Sequence, residues 1–175
     1  TIISTPSEFD KAIEYAPGSK LECVPELYNH FIYKTFKLSE LKERRISEHI
    51  NYLEMSTIKA KRSYCTRRKV GALLVKNNNI IAEGYNGTPP GFENNCENCK
   101  GETHWYVQHA EANAILKMAK SNQSSVGSTL YNTLCPCNDC SKMLLGAEVS
   151  HVFFNQTYKS FDGLELLLSA GVKVY

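Results

Sequence analysis

The sequence lacks any apolar run that approaches the ~20 residues of a membrane-spanning helix. Its N-terminus also lacks the basic segment followed by an apolar one that marks a signal peptide. The excess of positive over negative charge is also small, because the formal net charge is only +2 at pH 7. So small an excess argues against a surface built for nucleic acid or for membranes. We therefore expect a cytoplasmic protein that binds neither a membrane nor nucleic acid.

Cysteine, by contrast, is abundant. Seven cysteines are many for 175 residues, and they occur at positions 23, 65, 96, 99, 135, 137 and 140. An odd number of cysteines at tight spacings fits metal ligation in a reducing compartment better than a framework of disulfides. The cysteines therefore indicate metal binding.

The length is typical of one domain and allows a sizeable core. Residues 1–45 are polar and contain Pro6, Pro17 and Pro25. They predict an N-terminal extension, to which the sequence assigns no role. Residues 46–175 predict a single folded domain.

Strands and helices alternate along the second part of the chain. The predicted strands cover residues 69–76, 80–86, 128–132, 151–155 and 172–175, and the predicted helices cover about 38–61, 110–120, 137–147 and 161–170. The first two strands flank a turn of asparagines and predict an antiparallel hairpin. The later alternation predicts right-handed crossovers and parallel pairing. The fold class is therefore α/β, with a mixed five-stranded sheet between two helix layers.

A Pro-Cys-x-x-Cys motif begins the second helix of that alternation. Pro136 suits the start of a helix, where its missing N–H costs nothing. Cys137 and Cys140 share one side of the first turn, and a helix N-terminus lowers the pKa of a thiol. Both cysteines can therefore be thiolates that bind Zn²⁺. A redox pair and a half-site for structural zinc are the alternatives that this motif leaves open by itself.

His109 and Glu111 begin the preceding helix. Two thiolates and one neutral imidazole provide three ligands, which leaves the fourth tetrahedral position of zinc for water. Positions i and i+2 of a helix diverge, so Glu111 can lie beside the metal without binding it. The sequence therefore predicts a catalytic zinc bound by His109, Cys137 and Cys140, with Glu111 as the catalytic acid–base.

These motifs resemble those of a known family. His-Ala-Glu followed by Pro-Cys-x-x-Cys is the signature of zinc-dependent nucleobase deaminases. The stretches "VGALLVKNNNIIAEGYNGTPPGFENNC", "HAEANAI" and "TLCPCNDCSKMLLGAEVSHVFFNQTY" look like deoxycytidylate (dCMP) deaminases over roughly residues 47–175. The resemblance implies a cytidine-deaminase-like three-layer fold and makes residues 46–175 the catalytic domain.

The resemblance also implies a reaction, the hydrolytic deamination of dCMP to dUMP and ammonia, which feeds thymidylate synthesis. Zinc would lower the pKa of its bound water, and Glu111 would carry protons to N3 of the base and then to the leaving ammonia. Two alternatives stay open. One is deamination of another substrate, such as tRNA adenosine, a free nucleoside or single-stranded DNA. The other is a zinc-binding module without catalytic activity.

Substrate contacts are predicted at five positions. Asn86 resembles the asparagine that contacts the sugar in this family, although it also suits a turn. The Ala110 backbone N–H, at a helix start, is predicted to bind the base carbonyl. Tyr158 is predicted to pack on the pyrimidine, with ordinary core packing as an equal alternative. Arg67 and Arg68, in the basic run before the first strand, are predicted to bind the 5′-phosphate, with a solvated basic run as the alternative.

The remaining cysteines suggest a second metal site. Cys96 and Cys99 form another Cys-x-x-Cys pair, His104 follows them, and the hairpin is expected to bring Cys65 near. These four residues would complete a closed structural zinc site and would hold the long loop between residues 87 and 106. The alternative is that Cys99 is simply exposed.

Expectations about regulation and assembly rest on the resemblance alone. Members of the family are activated by dCTP and inhibited by dTTP, and "GYNGTPPG" lies in the region that binds such effectors. We therefore expect dCTP or dTTP as effectors, with Mg²⁺ accompanying the nucleotide, and a homo-oligomer.

Overall fold

A computed structural model describes residues 46–158 and 160–175. The predicted N-terminal extension, residues 1–45, lies outside the described residues. So does the first part of the helix that was predicted from about residue 38.

The described strands form one mixed sheet in the order β2-β1-β3-β4-β5. The strands are β1 (Gly71–Lys76), β2 (Asn79–Tyr85), β3 (Thr129–Asn132), β4 (His151–Phe154) and β5 (Lys173–Val174). Strand β1 pairs antiparallel with both β2 and β3, whereas β3, β4 and β5 run parallel. The tight turn between β1 and β2 uses Asn77 and Asn78, both at positive φ. Asparagine tolerates that conformation, which a hairpin turn with strand-matched twist requires.

Helices cover both faces of the sheet. They are α1 (Glu48–Ala60), α2 (Ala110–Met118), α3 (Asn138–Gly146) and α4 (Asp162–Ser169). Helix α1 packs against one face, where its Tyr52 and Leu53 meet side chains of β1, β3 and β4. The other three helices pack on the opposite face around a larger apolar core. The predicted three-layer α/β fold with a mixed five-stranded sheet is therefore confirmed. Among the described residues, no helix has the length and apolar character of a membrane span.

Two glycines allow helices to approach the backbone closely. A Cβ atom on Gly84 of β2 would collide with the Ala110 carbonyl at the start of α2. A Cβ atom on Gly163 of α4 would lie 2.7 Å from the carbonyl oxygen of Pro136. Larger residues would push both helices away. The two glycines therefore keep the starts of α2 and α3 in place.

The strand directions bring several chain segments to one edge of the sheet. Ala72 of β1 pairs with Asn132 at the end of β3, and Gly71 pairs with Tyr85 at the end of β2. The residues just before β1 therefore meet the residues just after β2 and β3. The loop after β3 leads directly to Cys137. This edge is where the functional residues lie.

Candidate active site

The starts of α2 and α3 supply the reactive side chains. His109 precedes α2 and Cys137 precedes α3, and both have extended backbone with ψ values of 157° and 172°. The extended backbone places each side chain before the first helical turn. Free backbone N–H groups at these two helix ends favour negative charge and thiolates. The same edge can therefore hold a metal with thiolate ligands.

His109, Cys137 and Cys140 are close enough to bind one metal ion. His109 Nδ1 lies 3.4 Å from Cys137 Sγ and 3.3 Å from Cys140 Sγ. All three ligand atoms lie within 4.8 Å of one another. Within the described part of the chain, this is the one such group of three or more His, Cys, Asp or Glu residues. Two sulfurs and one imidazole nitrogen form a donor set that suits tetrahedral zinc with one open position.

The pKa values of Cys137 and Cys140 are shifted in opposite directions. Hydrogen bonds from Cys140 and from His109 lower the pKa of Cys137 to about 4. The pKa of Cys140 is raised instead, because its thiol hydrogen bonds to Cys137 and because it is buried. The hydrogen bond with Cys137 raises the pKa of His109. A lowered pKa favours the thiolate form of Cys137, which is the form that binds a divalent cation.

Glu111 lies beside this group on the first turn of α2. Its side chain is buried, and Oε1 accepts a 2.8 Å hydrogen bond from Asn132 Nδ2. Burial raises the pKa of Glu111 to about 6, against hydrogen bonds that favour the carboxylate. A carboxyl group with a pKa near neutrality can both accept and release a proton. Its position therefore suits acid–base chemistry next to the metal ligands.

A cavity of about 350 Å³ opens beside Glu111 and the metal ligands. This volume lies within the ~300–1,000 Å³ that small-molecule sites occupy. The predicted substrate residues that line it are Asn86, Ala110, Tyr158, Arg67 and Arg68. The structure therefore brings these five residues to one cavity with His109, Glu111 and Cys137.

The Asn86 side chain holds the backbone before β1. Its Oδ1 accepts a hydrogen bond from the Val70 N–H, and its Nδ2 donates to the Arg68 carbonyl, both at 2.8 Å. One of the two hydrogens on Nδ2 is thus used within the protein. Contact with a sugar, as predicted, can use the second Nδ2 hydrogen or the remaining acceptor capacity of Oδ1.

Arg67 and Arg68 are exposed residues that line the cavity. Arg67 donates to Thr103 Oγ1 at 3.2 Å, and the Arg68 guanidinium lies 5.3 Å from the centre of the Tyr158 ring. Buried Glu97 accepts hydrogen bonds from the backbone N–H groups of Thr66 and Arg67. The side chains of Asn86 and Glu97 thus hold the backbone of the segment that carries the two arginines. Tyr158 contacts an arginine as well as the cavity.

The four residues of the predicted second zinc site are not assembled as expected. Cys65 and Cys96 form a disulfide with their Cα atoms 5.1 Å apart, so both sulfurs are bonded to each other. Cys99 is a free, exposed cysteine. The His104 ring stacks on Tyr106, with the ring centres 4.9 Å apart. The structure therefore differs from the expectation of four thiol and imidazole ligands around one ion.

Sequence reasoning missed three residues at this site. Asn132 binds Glu111, Glu97 holds the arginine segment, and buried Cys135 lines the cavity next to the metal ligands. The one available signal was the polar Asn132 directly after Leu130 and Tyr131 of the strand. Nothing in the sequence distinguished Glu97 from the other acidic residues of the long loop.

The chain is similar in sequence to known deaminases. The family model of the cytidine and deoxycytidylate deaminase zinc-binding region matches residues 46–156. Deoxycytidylate deaminase from Schizosaccharomyces pombe is 33% identical over 135 residues, which are 70% of this chain and 42% of that protein. The deoxycytidylate deaminase of Enterobacteria phage T2 is 29% identical, over 70% of this chain and 88% of its own length.

A solved structure is also similar. The crystal structure of dCMP deaminase from the cyanophage S-TIM5, in complex with dCMP and dUMP, has a TM-score of 0.72 and 43% identity. The match covers 76% of this chain and 98% of that one. The chain spans less than half the length of the yeast relatives that it matches, 42% in each case. The expected cytidine-deaminase-like fold is confirmed by these matches.

The metal assignment can be tested with two neighbouring cysteines. Cys137→Ala removes a ligand, so we expect the purified variant to contain one zinc per chain less than the parent protein. Cys135→Ala removes a buried thiol beside the same site that is not in the ligand group, so its zinc content should not change. Elemental analysis of both variants provides the measurement. Loss of zinc from Cys135→Ala with retention in Cys137→Ala would overturn the ligand assignment.

Proposed function

The chain belongs to the cytidine and deoxycytidylate deaminase family, and on this premise we propose that it catalyses the hydrolytic deamination of dCMP to dUMP and ammonia. The main support is the buried Glu111 beside the His109, Cys137 and Cys140 group, in a cavity that two arginines also line. The similar deaminase of cyanophage S-TIM5 binds dCMP and dUMP, which supports a pyrimidine nucleotide as the substrate.

His109, Cys137 and Cys140 would hold zinc, which supplies an activated water as the nucleophile when it is bound. Glu111 takes a proton from the attacking water and delivers it to N3 of the pyrimidine, so that C4 accepts the new C–O bond. Glu111 then takes the proton of the new C4 hydroxyl group and passes it to the amino nitrogen. The C4–N bond breaks, the carbonyl at C4 forms and ammonia leaves. A pKa of about 6 suits a group that must accept and release a proton in each cycle.

The base and sugar have candidate partners in the same cavity. Ala110 is the first residue of α2, and its N–H is one of the groups that a helix start leaves without a helical partner. It is suited to the carbonyl at C2 of the base. Tyr158 provides an aromatic wall, and the free acceptor capacity of Asn86 Oδ1 suits a sugar hydroxyl.

We propose that Arg67 and Arg68 bind the 5′-phosphate. Both line the cavity, and the hydrogen bonds that Asn86 and Glu97 make hold the backbone of this segment in place. Guanidinium groups suit phosphate because they can donate two parallel hydrogen bonds. A segment held in advance loses less entropy when the phosphate binds.

We also propose a second, structural zinc ion, which binds when the Cys65–Cys96 bond is reduced. The His104 N–H donates to the Cys96 carbonyl at 2.9 Å, and Glu97 pairs with Thr103 in an isolated antiparallel bridge. Cys99 lies in the turn between these paired residues. Three candidate ligands thus lie on one short hairpin, and Cys65 contacts its base.

Effectors, assembly and location are proposals that rest on the family. We propose dCTP or dTTP as effectors, accompanied by Mg²⁺, together with a homo-oligomeric enzyme in the cytoplasm. The similar phage proteins are named deoxycytidylate deaminases, which supports the substrate class.

Glu111→Gln tests the proposed reaction. The amide keeps the shape of the side chain but cannot shuttle a proton, so kcat for dCMP should fall by about 10²- to 10⁴-fold. Zinc content should stay at the parent value. Glu165→Gln, at an exposed position of α4, should leave kcat unchanged. Near-normal turnover by zinc-loaded Glu111→Gln would rule out the proposed proton transfer.

Neutralising the arginines tests the phosphate. We expect Arg67→Ala and Arg68→Ala each to lower kcat/KM for dCMP by about 10- to 100-fold per lost contact, because charge-assisted hydrogen bonds disappear. The value for deoxycytidine, which has no phosphate, should change little. Lys69→Ala removes a neighbouring exposed cation that does not line the cavity, and provides the matched control. Equal losses for nucleotide and nucleoside would contradict phosphate binding at these residues.

Zinc counting tests the second site. Protein purified under reducing conditions should contain two zinc ions per chain, and Cys96→Ala should lose one of them together with thermal stability, since a closed site contributes folding energy. Activity per remaining catalytic zinc should persist. One zinc per chain in the fully reduced parent protein would refute the second site.

A further inference from the structure

Asn132 occupies a position where an apolar residue would be expected. It is the last residue of β3, and its side chain is fully buried. Leu130, two residues earlier, belongs to the larger apolar core beneath α2, α3 and α4, whereas Tyr131 belongs to the core beneath α1. Successive strand residues face opposite sides of a sheet, so Asn132 points to the side on which Glu111 lies.

Both hydrogens of the Asn132 amide are committed. Nδ2 donates to Glu111 Oε1 at 2.8 Å and to the Leu134 carbonyl at 2.6 Å. Both partners are acceptors, so rotating the amide by half a turn would place its carbonyl oxygen against a carboxylate. The orientation of the amide is therefore determined by its neighbours.

The other polar atom of the Asn132 side chain, Oδ1, has no partner in the part of the chain that the structure describes. Oδ1 is buried and makes no hydrogen bond with any described residue. A buried acceptor without a partner lowers stability. The Asn132 amide therefore carries one unfavourable group beside its two hydrogen bonds. One of those two bonds goes to Glu111, the proposed acid–base.

We propose that Asn132 is a positioning residue for the reaction, one that holds Glu111 Oε1 so that Oε2 carries the proton. The inference rests on the proposed function, in which Glu111 shuttles protons. An N–H donor is compatible with either state of the carboxyl group, because Oε1 accepts as a carboxylate oxygen and as the carbonyl oxygen of the acid. Oε2 is therefore the oxygen that accepts and releases the proton in both transfers, and the side chain needs no reorientation between them.

The main test replaces Asn132 with leucine. In Asn132→Leu the donor is lost, so kcat for dCMP should fall by about 10- to 100-fold, while KM and zinc content should change little. The melting temperature should fall as well, because the Leu134 carbonyl and Glu111 Oε1 both lose their buried donor. A purely structural role predicts the same fall in melting temperature, but with kcat preserved in the folded, zinc-loaded fraction.

Ser128→Ala is the matched control. Ser128 is also fully buried, just before β3. Its Oγ has no partner among residues 46–158 and 160–175, and it does not line the cavity. Its replacement should leave kcat unchanged and the melting temperature equal or higher. This control separates the removal of an unpaired buried atom from the loss of the Glu111 contact.

A double-mutant cycle keeps the test decisive if the leucine variant folds poorly. Asn132→Ala should lower kcat in the parent protein but should have almost no further effect in the Glu111→Gln background, because Asn132 acts through Glu111. Additive losses would overturn the inference. So would unchanged kcat in a folded, zinc-loaded Asn132→Leu variant of an active parent. A zinc-loaded parent that does not deaminate dCMP would instead remove the proposed function, and this inference with it.

Discussion

The antiparallel pairing of β1 with β3 is the constraint on which the site depends. It places the segment before β1, which carries Arg67 and Arg68, at the same sheet edge as the end of β3. The loop after β3 then brings Cys137 to the start of α3. Reversing the direction of β1 would separate these segments by the length of the strand. The predicted cation site and the metal ligands meet because of strand direction.

Burial and polarity are combined at this edge in a way that a stable core alone would not require. Glu111 is removed from water beside two cysteines, and this raises its pKa to about 6. Asn132 supplies one hydrogen bond to it and leaves its own Oδ1 unpaired. Desolvated groups of this kind cluster at functional sites, where the shift in protonation is useful. Both residues are therefore better explained by chemistry than by packing.

The fold and the centre of the site could be predicted from sequence because their signals are local. Alternating strands and helices indicated the sheet, and His109, Glu111, Cys137 and Cys140 stand at short, diagnostic spacings at helix starts. Asn132 and Glu97 could not be found in this way, since their contacts depend on strand register and on a loop fold. The same limit applies to the paired cysteines.

We propose that this chain is a zinc-dependent deaminase of dCMP. The most direct test is the release of ammonia by the zinc-loaded protein from dCMP, dCTP, cytidine and adenosine, measured side by side at equal enzyme concentration. We expect by far the highest kcat/KM with dCMP and loss of that activity when zinc is removed by a chelator. Release of ammonia from adenosine alone, or from none of the four by a protein with full zinc content, would contradict it.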